Sequence, residues 1–421
     1  MPLHLSDYDQ ALLDGAHGEA ARLAMRILVR MAVVFEAETL MDISAAHIDS
    51  TVFQGDATME YAERLAALGA KVAVPTSLNV SGVDEYGWKE WAVPPEWAHK
   101  AHRQMVAYRS MGAVQTWTCA PYQTDLRPKF GQQIAWGESN AIAFANSVIG
   151  ARTERYPDLL DVCCAITGRV PAAGLHLTEN RAGQDLLRLV DIPEQVQADE
   201  AFYPILGHLI GHLVQNRIPV IDGLVVQPDD DRLKALCAGM ASSGAVALCH
   251  IVGVTPEAPT LEAAFQGNAP ARVLDITLPM LREARRALST ADAGKLDMVV
   301  LGSPHFSLDE FRRLAPLLEG KQRHPNVQFL VTTSRMVRML AEETGLMAPL
   351  EAFGGRITVD TCILTTPMLP PEIEVMMTNS AKFAYYTPGL LNRLMAFGSL
   401  EDCVHSAVEG RILTDETLWA E

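Results

Sequence analysis

Short runs rich in β-branched residues recur along the chain: RIPVIDGL, AVALCHIVGVTP, ARVLDIT, LDMVVLGSP, VQFLVTT and RITVDTCIL, with helically spaced segments between them. A strand followed by a helix reaches its neighbour by a crossover, which produces parallel sheets carrying helices on their faces. The expectation is therefore an α/β fold of several parallel or mixed sheets flanked by helices. The N-terminal part conforms. LSDYDQALLDGAHGEAARLAMRILVRMAVVF has helical spacing, opened by a capping box at Ser6 and Asp9, with Leu12, Ala16, Ala20 and Leu23 able to face a core. MEYAERLAALG reads as a helix closed by Gly69, and KVAVPTSLNV as a buried strand running into a polar turn. A chain of 421 residues has room for two or three such α/β subdomains, with approximate boundaries expected near residues 200 and 290.

Charge narrows the function. A formal net charge of −17 repels nucleic acid and anionic membrane surfaces, although a local basic pocket can still take an anionic substrate. The N-terminus lacks the apolar core of a signal peptide, and no apolar run of about 18 residues is present, so no membrane span is expected and cytoplasmic residence is. The seven cysteines are odd in number and scattered, which argues against a disulfide scaffold and leaves buried thiols or metal ligands.

Polar residues gather where strands end: Thr76, Ser77 and Asn79; Ser303, Pro304 and His305; Thr332, Thr333, Ser334 and Arg335; Thr361 and Cys362. In open α/β sheets, ligands bind beyond the carboxyl ends of the strands, so these turns are candidates for one pocket. Each alone reads equally as turn or N-cap chemistry. Cys119 lies in an irregular turn before Pro121, which suits a cofactor ligand. Glu138, Ser139 and Asn140 open an apolar helix, AIAFANSVIG, with Asn146 and Arg152 beyond it. Cys163 and Cys164 share a helix in LDVCCAITGR and point about 100° apart, so at most one faces the Cys119 turn. LHLTENRAG carries His176, Glu179, Asn180 and Arg181, either a solvated loop or a carboxylate with an anion partner. Asn379, Ser380 and Lys382 precede Tyr385 and Tyr386. His208 and His212 sit four apart on a helix, as a metal pair or as two amphipathic helix residues. Phosphate-loop, nucleophile-elbow, zincin and C-x-x-C patterns are absent.

Taken together, VPTSLNVSGVD, TCAPYQ, AWGESNAIAFANSVIGART, GLHLTENR, LGSPHFS, VTTSR, DTC and TNSAKFAYYTPG resemble the large domain of the aconitase X family, over about residues 40 to 390. That resemblance implies an aconitase-like fold with its active site at strand C-terminal ends, an iron–sulfur cluster, and dehydration without redox. It implies one of two activities, dehydration of cis-3-hydroxy-L-proline or of mevalonate 5-phosphate. DVCCAITGR, and Ser303 in the GSPH turn, resemble the bacterial hydroxyproline type. The ligands it implies are Cys119, Cys163 and Cys362, with Cys164 as the alternate to Cys163, and a 2Fe–2S cluster is the favoured nuclearity. Glu179, Lys382 and His305 are then expected to be catalytic. Thr76, Ser77, Asn79, Glu138, Ser139, Asn140, Arg152, His176, Asn180, Arg181, Ser334 and Arg335 are expected to bind substrate, with Glu179 and Arg181 dividing ammonium and carboxylate. The family's small swivelling domain, which carries a serine base, has no counterpart in this chain. The expectation the resemblance implies is a separate small subunit of about 130–150 residues, forming a heterodimer without which the large chain turns over little.

Overall fold

The computed structural model describes residues 3–91 and 93–420. The chain forms two compact units, Met1–Ala182 with Asp360–Pro367, and Gly183–Val359 with Met368–Glu421.

The first unit is organised on strands β1 (Leu40–Asp42), β2 (Ala45–Ile48), β3 (Thr76–Leu78), β4 (Ile134–Trp136) and β5 (Arg169–Pro171). β2 is the middle strand of a parallel sheet in the order β3-β2-β4, with Ala46 opposite both Thr76 and Ala135. β1 and β5 pair antiparallel. Nearly every residue of the three parallel strands is buried, as expected when both faces of a sheet are covered. The chain leaves β2 to one side to form β3 and returns on the other side as β4. The carboxyl ends of β2 and β4 are thus a topological switch point, where α/β sheets bind ligands.

The N-terminal helical stretch is two helices, Asp7–Asp14 and Glu19–Val34. Gly15 and Gly18 at φ 85° and 94° take left-handed backbone that stops the first helix and turns the chain. The Ser6/Asp9 capping box is present. The strand read in KVAVPTSLNV shrinks to Thr76–Leu78, because the N–H groups of Val72 and Ala73 go to Met111 O and Ala165 O rather than into a ladder.

The second unit holds two parallel sheets. One uses β6 (Asp185–Leu189), β7 (Pro219–Asp222), β8 (His250–Ile251) and β9 (Arg272–Ile276) in the order β8-β7-β6-β9. The other uses β10 (Met298–Phe306), β11 (Gln328–Thr333), β12 (Arg356–Val359), β13 (Val375–Thr378) and β14 (Leu394–Phe397) in the order β12-β11-β10-β13-β14. The second sheet has its own switch point between β10 and β13. Its core packs Val299, Leu301, Val331 and Met377 against helix residues Phe311, Leu314, Leu350 and Val404. AVALCHIVGVTP contributes only the two-residue edge strand β8. No helix of the described residues is long and apolar enough to cross a membrane.

Candidate active site

At the carboxyl edge of β3-β2-β4, each strand delivers a polar residue into buried space. β2 runs into Asp49, which is partly exposed. Its backbone N–H donates to Asp161 Oδ2 at 2.5 Å, and the N–H of Ser50 donates to the same oxygen at 3.0 Å. β3 runs into Asn79, whose Nδ2 donates to Asp49 Oδ1 and whose backbone N–H donates to Ile48 O at 3.0 Å. β4 runs through Gly137 into Glu138. A Cβ on Gly137 would sit 2.7 Å from Asp49 Cβ and 3.0 Å from Asp161 Oδ2, so only glycine lets the three elements meet. Glu138 caps the helix Ser139–Phe144, accepting from Ala141 N at 2.8 Å, and also accepts from Asn140 Nδ2.

This edge is dense in acid. Burial, followed by the nearby charges of Glu138, Asp158 and Asp161, pushes the Asp49 carboxyl well above its ordinary range. Burial likewise raises Asp161 to about 6, against the bonds it accepts from Ser50. The imidazole of His47 is pulled down to about 3 by burial, with a smaller opposite pull from Asn79, so it is neutral at physiological pH. His47 Nδ1 and Ser77 Oγ are 2.8 Å apart. Ser81 Oγ is buried without a partner, while His47 and Asn79 interact with each other although neither His47 Nε2 nor Asn79 Oδ1 forms a well-aligned hydrogen bond.

Three cysteine segments are tethered to this edge. The carbonyl of Cys119 accepts from Asn140 Nδ2 at 3.0 Å, while Asn140 Oδ1 accepts from the Tyr122 hydroxyl at 2.7 Å. Cys362 lies in a turn closed by the N–H groups of Thr365 and Thr366 on its carbonyl, and the turn is fixed by Ser81 N–H donating to Asp360 O at 2.6 Å. Cys163 lies two residues beyond Asp161. Cys119 and Cys362 are half-buried, whereas Cys163, Cys164, Cys237, Cys249 and Cys403 are buried. The Cys163 thiol donates to Leu159 O at 3.3 Å and lies 3.1 Å from the Tyr61 hydroxyl, and burial raises it to about 12. Cys164 is raised further, again by burial. Among the described residues no three His, Cys, Asp or Glu side chains converge on a point as a metal site would require. The donor chemistry at Cys119 and Cys362 fits an iron–sulfur cluster. At Cys163 it fits only if the sulfur leaves Leu159 and Tyr61 and gives up its proton.

The LHLTENR segment does different work from that expected of it. Arg181 is fully buried, and its guanidinium donates to Asn146 Oδ1, Asn146 O, Leu175 O and Ala151 O at 2.9–3.3 Å. His176 Nδ1 donates to Gln133 Oε1 at 2.6 Å and Nε2 receives the Tyr156 hydroxyl; burial and the charges of Arg181 and Arg152 lower it to about 3. Arg152 donates to Thr178 Oγ1 at 2.7 Å and His176 O at 3.3 Å. Asn180 Nδ2 donates to Gly174 O at 3.0 Å, and Glu179 is exposed beside it. Arg181 and Glu179, expected at the two ends of a substrate, thus lie one in the interior and one at the surface. The arginine's fork is committed to internal acceptors and the glutamate faces outward.

In the second unit, the expected residues gather at the carboxyl edge of β11-β10-β13. Gly302, at φ 94°, passes so close to Thr332 O that any Cβ would collide with it. Ser380 Oγ donates to Ser303 O and accepts from Phe383 N at 3.1 Å, joining β10 to the turn after β13. Ser334 caps the helix Arg335–Glu343, and Lys382 is the second residue of the helix Ala381–Leu391. His305 is buried, and its carbonyl accepts from Lys234 Nζ at 3.4 Å; Lys234 is itself paired with Asp231 and Glu310. His208 and His212 pack edge to face, 4.6 Å between centroids, with Tyr385 against both, which is the packing reading of that pair.

Sequence reasoning passed over Asp49, Asp161, His47 and Ser81. The available signal was a lone acid, Asp49, in ISAAHIDSTVF, directly after a β-rich stretch.

Family models described as the first, second and third domains of aconitase X match residues 2–179, 187–286 and 296–409. The chain is 49% identical to the cis-3-hydroxy-L-proline dehydratase of Pseudomonas aeruginosa, over 97% of this chain and 70% of that protein. It is 37% identical to the phosphomevalonate dehydratase large subunit of Methanothermobacter thermautotrophicus, over 92% of this chain and 94% of that one. The crystal structure of Thermococcus kodakaraensis aconitase X in its holo form superposes with a TM-score of 0.86 at 30% identity, covering 96% of this chain and all of that one.

Proposed function

The chain belongs to the aconitase X family, and from that premise we propose that it is the large subunit of an iron–sulfur hydro-lyase that dehydrates cis-3-hydroxy-L-proline. The observation that carries the substrate is the 49% identity to the Pseudomonas hydroxyproline dehydratase, against 37% to the Methanothermobacter phosphomevalonate enzyme. The acidic edge around Asp49 supports the same choice. A phosphorylated substrate calls for several cations or an anion nest, and the groups acting on Asp49 are acids and an amide.

In this reading Cα loses its proton and C3 loses its hydroxyl, so that water departs. The resulting enamine tautomerises to Δ1-pyrroline-2-carboxylate. Cys119, Cys362 and Cys163, or Cys164 in its place, would hold the cluster, with 2Fe–2S the favoured form. When bound, it supplies Lewis acidity toward the departing hydroxyl. Asn140, Glu138 and Tyr122 hold the Cys119 turn, and Ser81 with Thr361 holds the Cys362 turn. Thr76 is spent on Val74 O at 2.8 Å, and Ser77 on orienting His47. In the second unit, Ser334 and Ser380 cap the helices Arg335–Glu343 and Ala381–Leu391, whose first turns carry Arg335 and Lys382.

The base for Cα is proposed to come from a separate small swivelling subunit, because relatives of matching length are named large subunits. Co-expression with such a partner, followed by a coupled assay reducing the cyclic imine with a nicotinamide-dependent reductase, tests the reading. Turnover of cis-3-hydroxy-L-proline that needs the partner is expected. Turnover of mevalonate 5-phosphate in its place, or full activity of the lone chain, overturns it.

A further inference from the structure

The segment that carries Cys362 is a short excursion of the chain. β12 ends at Val359, residues Asp360–Pro367 belong to the first compact unit, and the chain returns to the second unit at Met368. Cys119 and Cys163 lie in the first unit by their own place in the sequence, whereas Cys362 reaches it only through this segment. A sulfur delivered on a short irregular loop needs anchors, because every residue held in one conformation costs entropy.

Asp360 is the first anchor, and it works through both backbone and side chain. It is fully buried and holds φ at 63°, in the left-handed region, where the strand stops and the chain turns. Aspartate and asparagine adopt this region more readily than other side chains, since their short polar groups bond locally. The Asp360 carbonyl accepts from Ser81 N–H at 2.6 Å, and its carboxylate Oδ2 accepts from Glu85 N–H at 3.3 Å. The receiving loop is itself fixed. Asp84 Oδ1 takes the N–H groups of Tyr86 and Gly87 at 3.2 and 2.8 Å, Trp97 Nε1 donates to Gly82 O at 2.7 Å, and Arg109 donates to the Glu85 carboxylate at 2.7 Å. Beyond Asp360, Ser81 and Thr361 form a parallel bridge, the hydroxyls of Thr361 and Thr366 bond to each other, and the N–H groups of Thr365 and Thr366 close on Cys362 O. Cys362 thus sits between a fixed start and a closed turn, half-buried, and none of the bonds named uses its sulfur.

We propose that Asp360 is a positioning residue for the iron–sulfur cluster, one that clasps the Cys362 turn to the loop after β3 and so fixes where that sulfur is presented. The inference rests on the reading above in which Cys362 is a cluster ligand. Groups that orient a ligand without touching the metal set much of how tightly the metal is held. Asp360 acts in this way, through the backbone that leads to Cys362. Its two contributions are separable. Glycine keeps the left-handed turn and loses the carboxylate, whereas asparagine keeps an acceptor and tolerates the same turn.

The test follows iron release from the full chain, purified anaerobically, after addition of the ferrous chelator bathophenanthroline disulfonate. Asp360→Gly should release iron about ten- to a hundredfold faster than wild type, the range for loss of a group that orients a metal ligand. Asp360→Asn should stay within about threefold of wild type, since it keeps both the turn and an acceptor. The electron paramagnetic resonance signal of the reduced cluster should change in Asp360→Gly and return in Asp360→Asn. Hydrogen exchange on the cluster-free full chain reads the clasp without the metal, and the Glu85 amide should exchange faster in Asp360→Gly. Asp360→Ser, whose shorter side chain does not reach Glu85, decides the matter if Asp360→Gly does not fold. Iron release at the wild-type rate in these variants overturns the assignment, and the ligand reading stands if Cys362→Ser abolishes the cluster in the same preparation. Full cluster content in Cys362→Ser overturns both.

Discussion

Two buried polar clusters of the first unit invite comparison. Around Arg181, every strong donor meets an acceptor: four guanidinium bonds to Asn146, Leu175 and Ala151, and a His176 imidazole satisfied at both nitrogens by Gln133 and Tyr156. Around Asp49 the bonding is looser: Ser81 Oγ has no partner, His47 and Asn79 meet without a well-aligned bond, and one carboxylate sits among three others. From the sequence, the first looked the more chemical, with histidine, glutamate and arginine within a few residues. A closed network has nothing left to offer a ligand and functions as a clasp. An open one is costly to keep, and its cost is understandable where a substrate completes it.

The comparison can be broken in several ways. The largest expected effect is at the cysteine turns tied to the open edge. Cys119→Ser or Cys362→Ser should abolish the visible iron–sulfur absorbance of anaerobically purified enzyme, whereas Cys403→Ser, in a closed core, should leave it intact; full cluster content in the first two would remove them from the ligand set. Next, Arg181→Met should strand several buried carbonyl acceptors and cost about 3 kcal/mol or more in urea unfolding. Asp49→Asn should cost far less in the same measurement, since it removes a carboxylate from an acidic neighbourhood. Equal losses in the two variants would erase the distinction.

Acid should discriminate too. His176 has a folded pKa of about 3, below the ordinary 6.5, so between those values the unfolded chain binds the extra proton. Its contribution is whole above pH 6.5 and is lost as pH falls toward 3, by roughly 5 kcal/mol at most. His176→Asn should flatten the acid limb of the stability profile relative to wild type, and an unchanged limb would argue against a neutral buried imidazole. The smallest effect is expected at Glu179. Being exposed, Glu179→Gln should change stability by under about 0.5 kcal/mol and leave turnover near wild type; a tenfold loss would return that loop to the active site.

Much of the architecture was legible. The β-rich runs from RIPVIDGL to RITVDTCIL became strands of parallel sheets, Ser6 with Asp9 opened a helix, and the glycine after MEYAERLAAL followed the end of another, as their chemistry requires. What escaped depended on tertiary context. β6, in QDLLRLV, is flanked by charge and reads as helix or strand alike, and KVAVP spends its N–H groups on distant carbonyls. The site was legible as strand-end turns, and Asn79 was among them. Asp49 was not, because a single acid after an apolar run says nothing of whether its neighbours will satisfy it. Conversely Arg181 is conspicuous in sequence, and only the fold reveals that backbone carbonyls from three places surround it.

Hydrogen exchange on the assembled enzyme, with and without cis-3-hydroxy-L-proline, tests most directly whether the open cluster is the ligand site. Protection is expected over residues 47–52, 77–82 and 136–141, where β2, β3 and β4 end, with residues 174–182 unchanged. Protection confined to 174–182, with the strand ends unaffected, would contradict it.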